Sequence, residues 1–311
     1  MPTDAANLMS TSSSQTAVFK ISRRGFLSMA CAAAARAASE PLIDIHQHTN
    51  YHDRTDEQLV NHQRVMGAAL TVLLPAGSRY GLAANCGGND TVVALAKRYP
   101  KNYVYFANEL PDIPETKRVL EKYLNSGAIG IGEQKFHVEC DSPAMQLIYD
   151  IAKAHDVPVL MHFQHDAYNM GIERFYRMAE KYPTVTFIGH AQTFWGNIDK
   201  NHVQNIMYPK GPVTPGGITD RLLSDYPNVY GDLSAGSGLN ALTRDEDHAR
   251  DFLKRHQNKL MFGSDCEDAA GTGAKCIGAS QIAAIRRLAP DGAAIRKILH
   301  DNARRVLKLP S

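Results

Sequence analysis

Six residues carry side chains that do metal chemistry, and each stands where a short apolar run gives way to polar residues. They are His46 and His48 in "LIDIHQHTN", Glu133 in "AIGIGEQKFH", His162 in "VLMHFQH", His190 in "FIGH" and Asp265 in "LMFGSD". Four imidazoles and two carboxylates are a donor set for one or two divalent metals. A His-X-His pair alone carries little weight in a chain with 13 histidines; the joint set carries more. Strand side chains alternate between faces, so Asp44, His46 and His48 are expected on one side of the first strand, with Ile43 and Ile45 on the other. Asp44 then lies deeper, behind the ligands.

These residues need elements that bring them to one place. Candidate strands fall at Ile43–His48, Leu70–Leu74, Tyr103–Asn108, Ile129–Glu133, Pro158–His162, Thr186–His190, Val229–Leu233 and Lys259–Gly263. Between them lie amphipathic stretches such as "DEQLVNHQRVMG" and "SPAMQLIYDIAKAHD", apolar at helical spacing and bounded by Gly, Asp or Pro. Eight strand-then-helix repeats predict an α/β fold, a (β/α)8 TIM barrel over residues 38–311, whose functional groups project from the C-terminal strand ends. An open doubly wound sheet is the structural alternative, weakened by the lack of a Gly-X-Gly-X-X-Gly or P-loop motif. Residues 191–217, with Trp195 and Tyr208, read as a lid over the barrel mouth or as an irregular surface loop. Lys135, Gln164, Trp195, Tyr208 and Asp232 are the candidates for substrate contact.

His46-X-His48, Glu133, His162, His190 and Asp265, in that order and on those strands, resemble the amidohydrolase superfamily, particularly its amidohydrolase-related (family 2) branch. "ILHDNARRVLKL", residues 298–309, resembles that branch's extra C-terminal helix. The resemblance implies that His46, His48, His162 and Asp265 hold the more buried metal, and that Glu133 bridges to a second ion supported by His190. Lys135 is the alternative bridge, as a carboxylated lysine. The implied cofactor is one or two divalent ions, with Zn2+ preferred. The implied chemistry is hydrolysis of a lactone, ester or amide of a small molecule by metal-activated water, with Asp265 as general base and acid and His190 stabilising the oxyanion where a single ion is present. A single-metal non-oxidative decarboxylase is the alternative, followed by a phosphodiesterase; a non-catalytic metal- or solute-binding protein is the alternative from a different class.

The start of the chain reads differently. Arg23-Arg24, an apolar segment over 26–35 and the small-residue site Ala35-Arg36-Ala37 read as a twin-arginine export signal spanning 1–37 and cut after Ala37. The apolar run is too short for a transmembrane span. A folded, exported protein of the periplasm or cell envelope is expected, with the twin-arginine machinery as a partner and no stable membrane insertion after cleavage. Removing 1–37 takes away Lys20, Arg23, Arg24, Arg36 and Asp4, leaving 30 basic against 31 acidic residues. That balance lacks the basic excess of a nucleic-acid binder. Cys86, Cys140, Cys266 and Cys276 then remain, with no Cys-X-X-Cys motif and no pairing readable from their spacing. A homo-oligomer is compatible with all of this.

Overall fold

The computed structural model describes residues 41–77 and 85–309. The predicted export signal lies outside the described residues. Eight parallel strands follow one another: β1 (Leu42–Gln47), β2 (Ala68–Leu73), β3 (Tyr103–Tyr105), β4 (Ile131–Gln134), β5 (Val159–His162), β6 (Phe187–His190), β7 (Val229–Asp232) and β8 (Leu260–Met261). β1 to β3 pair in sequence order, as do β4 to β8. Single hydrogen bonds join the two runs. Ala107 N donates to Gly130 O at 2.9 Å and Gly132 N to Ala107 O at 2.9 Å, while Ile45 N donates to Phe262 O at 3.1 Å and Asp265 N to His46 O at 2.9 Å. The strands therefore form a closed (β/α)8 barrel, and β1 and β8 are neighbours within it.

Several of the helices between strands begin or end on capping residues. The helix α1 (Asp56–Met66) opens on a Thr55–Gln58 capping box and stops at Gly67, whose φ of 89° is the left-handed C-cap conformation. The next are α2 (Asn89–Arg98), α3 (Thr116–Leu124) and α4 (Pro143–His155), the last with Ser142 as N-cap and proline in its first turn. They are followed by α5 (Tyr176–Lys181), α6 (Ala191–Gly196), α7 (Ile218–Asp225), α8 (Ala235–Thr243), α9 (Glu246–His256) and α10 (Ile277–Leu288). Leu73, Ala107, Ile131, Val159, Met161, Phe187 and Leu260 face this helical layer and pack with its apolar stripes. A second cluster fills the barrel: Ile43, Ile45, Val72, Leu74, Phe106, Leu160, Ile188 and Met261. Ala303, Val306 and Leu307 belong to it, so the C-terminal segment, α11 (Gly292–Arg296), a π turn and α12 (Asn302–Val306), closes the barrel floor. Among the described residues no helix is long and apolar enough to cross a membrane.

Two irregular strands aim the site. Along β1, Asp44 pairs with Thr71 but Gln47 with Leu73, so three steps of β1 oppose two of β2. This is a β-bulge. It corrects the expectation from simple alternation. Asp44 does not share a face with His46 and His48; it turns outward to Gln63 of α1 and to Ser264, alongside Gln47. Ile45 meanwhile stays in the barrel interior. In β4 the pairs are Ile131 with Val159 and Gln134 with Met161, again three steps against two. Gly132 takes a φ of 141° there, and a Cβ on it would sit 2.7 Å from Leu160 O. Only glycine meets both demands.

Candidate metal centre

The barrel brings all six predicted donors to its C-terminal end, where they fall into two groups set by strand adjacency. Because β8 follows β1 around the barrel, Asp265 stands against the histidine pair. His46 Nε2 and His48 Nε2 are 3.2 Å apart, and Asp265 Oδ1 lies 3.7 Å and 3.5 Å from them. Opposite, β5 and β6 pair His162 directly with His190. Glu133 on β4 reaches both groups. Its Oε2 is 3.7 Å from His46 Nε2 and 3.6 Å from His48 Nε2, while its Oε1 is 2.5 Å from His162 Nδ1 and 3.6 Å from His190 Nε2. Asp265 Oδ2 adds a second link, 3.7 Å from His190 Nε2. The grouping differs from the expected one in a single respect. His162 stands with His190 and Glu133, not with His46, His48 and Asp265, because β5 lies next to β6 and on the far side of β4 from β1.

A further layer fixes the rings. His46 Nδ1 donates to Asp232 Oδ2 at 2.7 Å, His48 Nδ1 to Leu74 O at 2.7 Å and His190 Nδ1 to Ser234 Oγ at 2.9 Å. Ser234 Oγ donates in turn to Asp232 Oδ2 at 2.8 Å. Each of these imidazoles therefore directs its Nδ1–H outward and turns Nε2 inward, the orientation that metal-binding histidines use. Gln164 Oε1 accepts from His162 Nε2 at 3.2 Å, leaving Nδ1 to face Glu133. Asp265 Oδ1 is buried and has no hydrogen-bond partner. An unpaired buried carboxylate oxygen among inward-turned imidazole nitrogens fits a cation.

The charges make the same point. Burial pushes the Glu133 carboxyl up, but His162 and His46 hold it well below the usual carboxylate range. Asp265 is likewise raised by burial and held low by His46 and His48. Burial lowers His46 and His48, yet Asp265 and Asp232 drive the first well above the ordinary histidine value, and Cys86 and Asp265 push the second up to about 10. His190 moves the other way, down to about 4, through burial and the neighbouring His46. In the metal-free chain the carboxylates favour a second proton on His46 and His48, which balances their charge. A divalent cation does this without the added protons, so its binding releases protons.

The substrate-contact candidates separate clearly. Lys135 follows β4, with Nζ 5.7 Å from the centre of the Tyr168 ring, which itself stands edge-on to His162. Gln164 braces His162. Trp195 is a correction: it is 2% exposed, packs on Phe194 and Phe252, and its Nε1 donates to Asp232 O at 2.9 Å. It lies in the core behind the site because α6 starts directly after β6 and turns inward. Asp232 is a second correction, being fully buried behind His46 and open to no substrate. Tyr208 is 48% exposed and accepts from Gln192 Nε2 at 3.2 Å, on a surface segment whose Met207 meets Gln164. Tyr51 was not foreseen. Its hydroxyl bonds Asp265 and its ring lies 4.9 Å from that of His48. Its only signal in the sequence is an aromatic residue three places after the His-X-His pair.

A barrel of this kind recurs in known proteins. The sequence model described as Amidohydrolase matches residues 43–309. The chain belongs to the amidohydrolase family. Similar solved structures include an uncharacterised TIM-barrel protein from Bordetella bronchiseptica, at 16% identity and TM-score 0.63 over 86% of this chain and 99% of that one. A probable 2-pyrone-4,6-dicarboxylic acid hydrolase from Acinetobacter baumannii, with citric acid bound, matches at 14% and 0.57 over 86% and 99%. A 5-carboxyvanillate decarboxylase from Sphingomonas paucimobilis matches at 13% and 0.57 over 88% and 100%. No curated protein matches the sequence significantly.

Proposed function

We propose that this chain is a metal-dependent hydrolase that cleaves a C–O or C–N bond, in a lactone, ester or amide, of a small molecule. The observation that carries the reading is the division of Glu133: one oxygen faces His46 and His48, the other faces His162 and His190. In this reading His46, His48 and Asp265 would hold one divalent ion, His162 and His190 would hold another, and Glu133 would serve both, with Zn2+ as the first choice. Ions bound there supply Lewis acidity, lowering the pKa of water to about 7 and polarising a carbonyl oxygen. Asp265 Oδ1, free of other partners, takes the proton from the attacking water and returns it to the leaving group. The Tyr51 hydroxyl, held protonated by the Asp265 charge and by burial, orients that carboxylate from the solvent side. Lys135, whose Nζ lies near the Tyr168 ring beside His162, would pair with an anionic substituent of the substrate. Residues 1–37 are proposed, from their sequence pattern alone, to export the folded protein.

The second reading is decarboxylation, favoured by similar folds that include 2,6-dihydroxybenzoate and 5-carboxyvanillate decarboxylases. Two measurements divide them. Glu133→Ala should lower the metal content by one ion per chain. Turnover of a lactone, ester or amide panel in H2(18)O should place the label in the product acid. Release of carbon dioxide without label incorporation, together with unchanged metal content in the variant, would replace hydrolysis with decarboxylation.

A further inference from the structure

A second cluster of metal-type donors lies on the outer side of the barrel, apart from the centre described above. His62 comes from α1, Cys266 from the loop after β8 and Cys276 from the start of α10, and all three are buried. Cys266 Sγ and Cys276 Sγ are 3.8 Å apart, and His62 Nε2 is 3.3 Å from Cys276 Sγ. The three donor atoms lie within 4.8 Å of one another. A tetrahedral zinc with Zn–S near 2.3 Å and Zn–N near 2.0–2.1 Å has a sulfur–sulfur edge of about 3.8 Å and a sulfur–nitrogen edge of about 3.5 Å. The Cys266–Cys276 separation of 3.8 Å equals the first, and the His62–Cys276 separation of 3.3 Å is within about 0.2 Å of the second.

Backbone N–H groups approach both sulfurs as well. Ala279 N donates to Cys276 Sγ at 3.4 Å, and the backbone N–H groups of Asp268 and Gly278 face Cys266 Sγ. Gln63 Nε2 donates to His62 Nδ1 at 3.4 Å, a long hydrogen bond that ion binding at Nε2 has to displace. The segment between the cysteines is packed against α1: a Cβ on Gly271 would come within 2.4 Å of His62 O, and Arg54 Nη1 donates to Cys266 O and Asp268 O at 2.6 Å and 3.0 Å. A disulfide would leave the buried imidazole without a role.

We infer that His62, Cys266 and Cys276 form a separate site for a thiophilic divalent ion such as Zn2+, with the fourth position left to water. Its ion ties the loop that follows Asp265 to α1 and α10. The site is structural in placement, and it acts on the main centre only by holding the residue beside Asp265.

Cobalt titration of the metal-free full chain tests this, because cobalt bound to thiolate shows a near-ultraviolet charge-transfer absorption that histidine–carboxylate sites lack. One equivalent should bind with that absorption in the parent. Cys86→Ser, which removes the thiol beside His48, should retain it, as should Glu133→Ala. Cys276→Ser should lose it while keeping a native far-ultraviolet circular dichroism spectrum. His62→Ala leaves both thiols and should weaken this cobalt site at least tenfold, a readout that serves should Cys276→Ser not fold. Saturation of the parent with no thiolate absorption would overturn the inference. So would absorption lost in Cys86→Ser, affinity unchanged in His62→Ala, or metal-free parent, denatured without reductant, showing two fewer free thiols than cysteines.

Discussion

Replacing Asp232 by alanine should weaken metal binding at the main centre without touching any donor. Asp232 Oδ2 accepts from His46 Nδ1 at 2.7 Å and from Ser234 Oγ at 2.8 Å, and Oδ1 accepts from Ser234 N at 3.0 Å. The carboxylate thus holds His46 directly and His190 through Ser234. A hydrogen bond to a charged group contributes about 1.5–3 kcal/mol. At about 1.4 kcal/mol per tenfold change, this corresponds to a loss of roughly 10–100-fold in affinity. Asp232→Asn should cost less. Its amide oxygen can still accept from His46 and Ser234 Oγ, but the amide nitrogen then meets the Ser234 N–H, donor against donor. Affinity is measured by competition with a calibrated chelator at fixed pH, with circular dichroism confirming the fold. An Asp232→Ala protein that folds and binds metal within twofold of the parent would refute the account of how His46 is held.

Three other outcomes follow from particular contacts. Gly132→Ala should destabilise the chain by about 1–3 kcal/mol, read as a lower denaturation midpoint, because alanine at a φ of 141° is strained and its methyl would meet Leu160 O. Trp195→Phe should cost about 1–3 kcal/mol by leaving the buried Asp232 carbonyl without its donor, and should leave substrate KM unchanged; a raised KM would return Trp195 to the mouth. Asp220 accepts from His256 Nε2 at 2.6 Å and from Arg255 Nη2 at 3.0 Å. Burial raises its carboxyl, but these partners hold it far below the usual value. A depressed carboxyl stabilises the fold above its unfolded pKa of about 4, and that contribution is lost as pH falls further. Thermal melts should therefore show Asp220→Asn less stable than the parent at neutral pH, with the gap closing on acidification below about pH 4.

Strands and helices were legible in the sequence because their signals are local. The apolar runs ending in His48, His162 and His190 have strand length, and the caps at Thr55, Ser142 and Gly67 are short-range hydrogen-bonding devices. Eight such repeats already imply a barrel, and a barrel implies that residues at the C-terminal strand ends meet. The six donors were identifiable for that reason. The bulges in β1 and β4 were not, since a register shift is defined only against the partner strand. One extra step in β1 sends Asp44 outward to α1 while both histidines turn inward, which alternation alone does not predict. The placing of His162 beside His190, the burial of Trp195 and the seating of Asp232 behind His46 depend likewise on which strands adjoin after closure. Tyr51 reaches Asp265, and His62 reaches Cys276 across a sequence separation of 214, for the same reason. The sequence by itself determined the side-chain types and the repeating architecture; only the closed barrel decided which of these side chains stand together, because adjacency around a ring is a property of the whole chain.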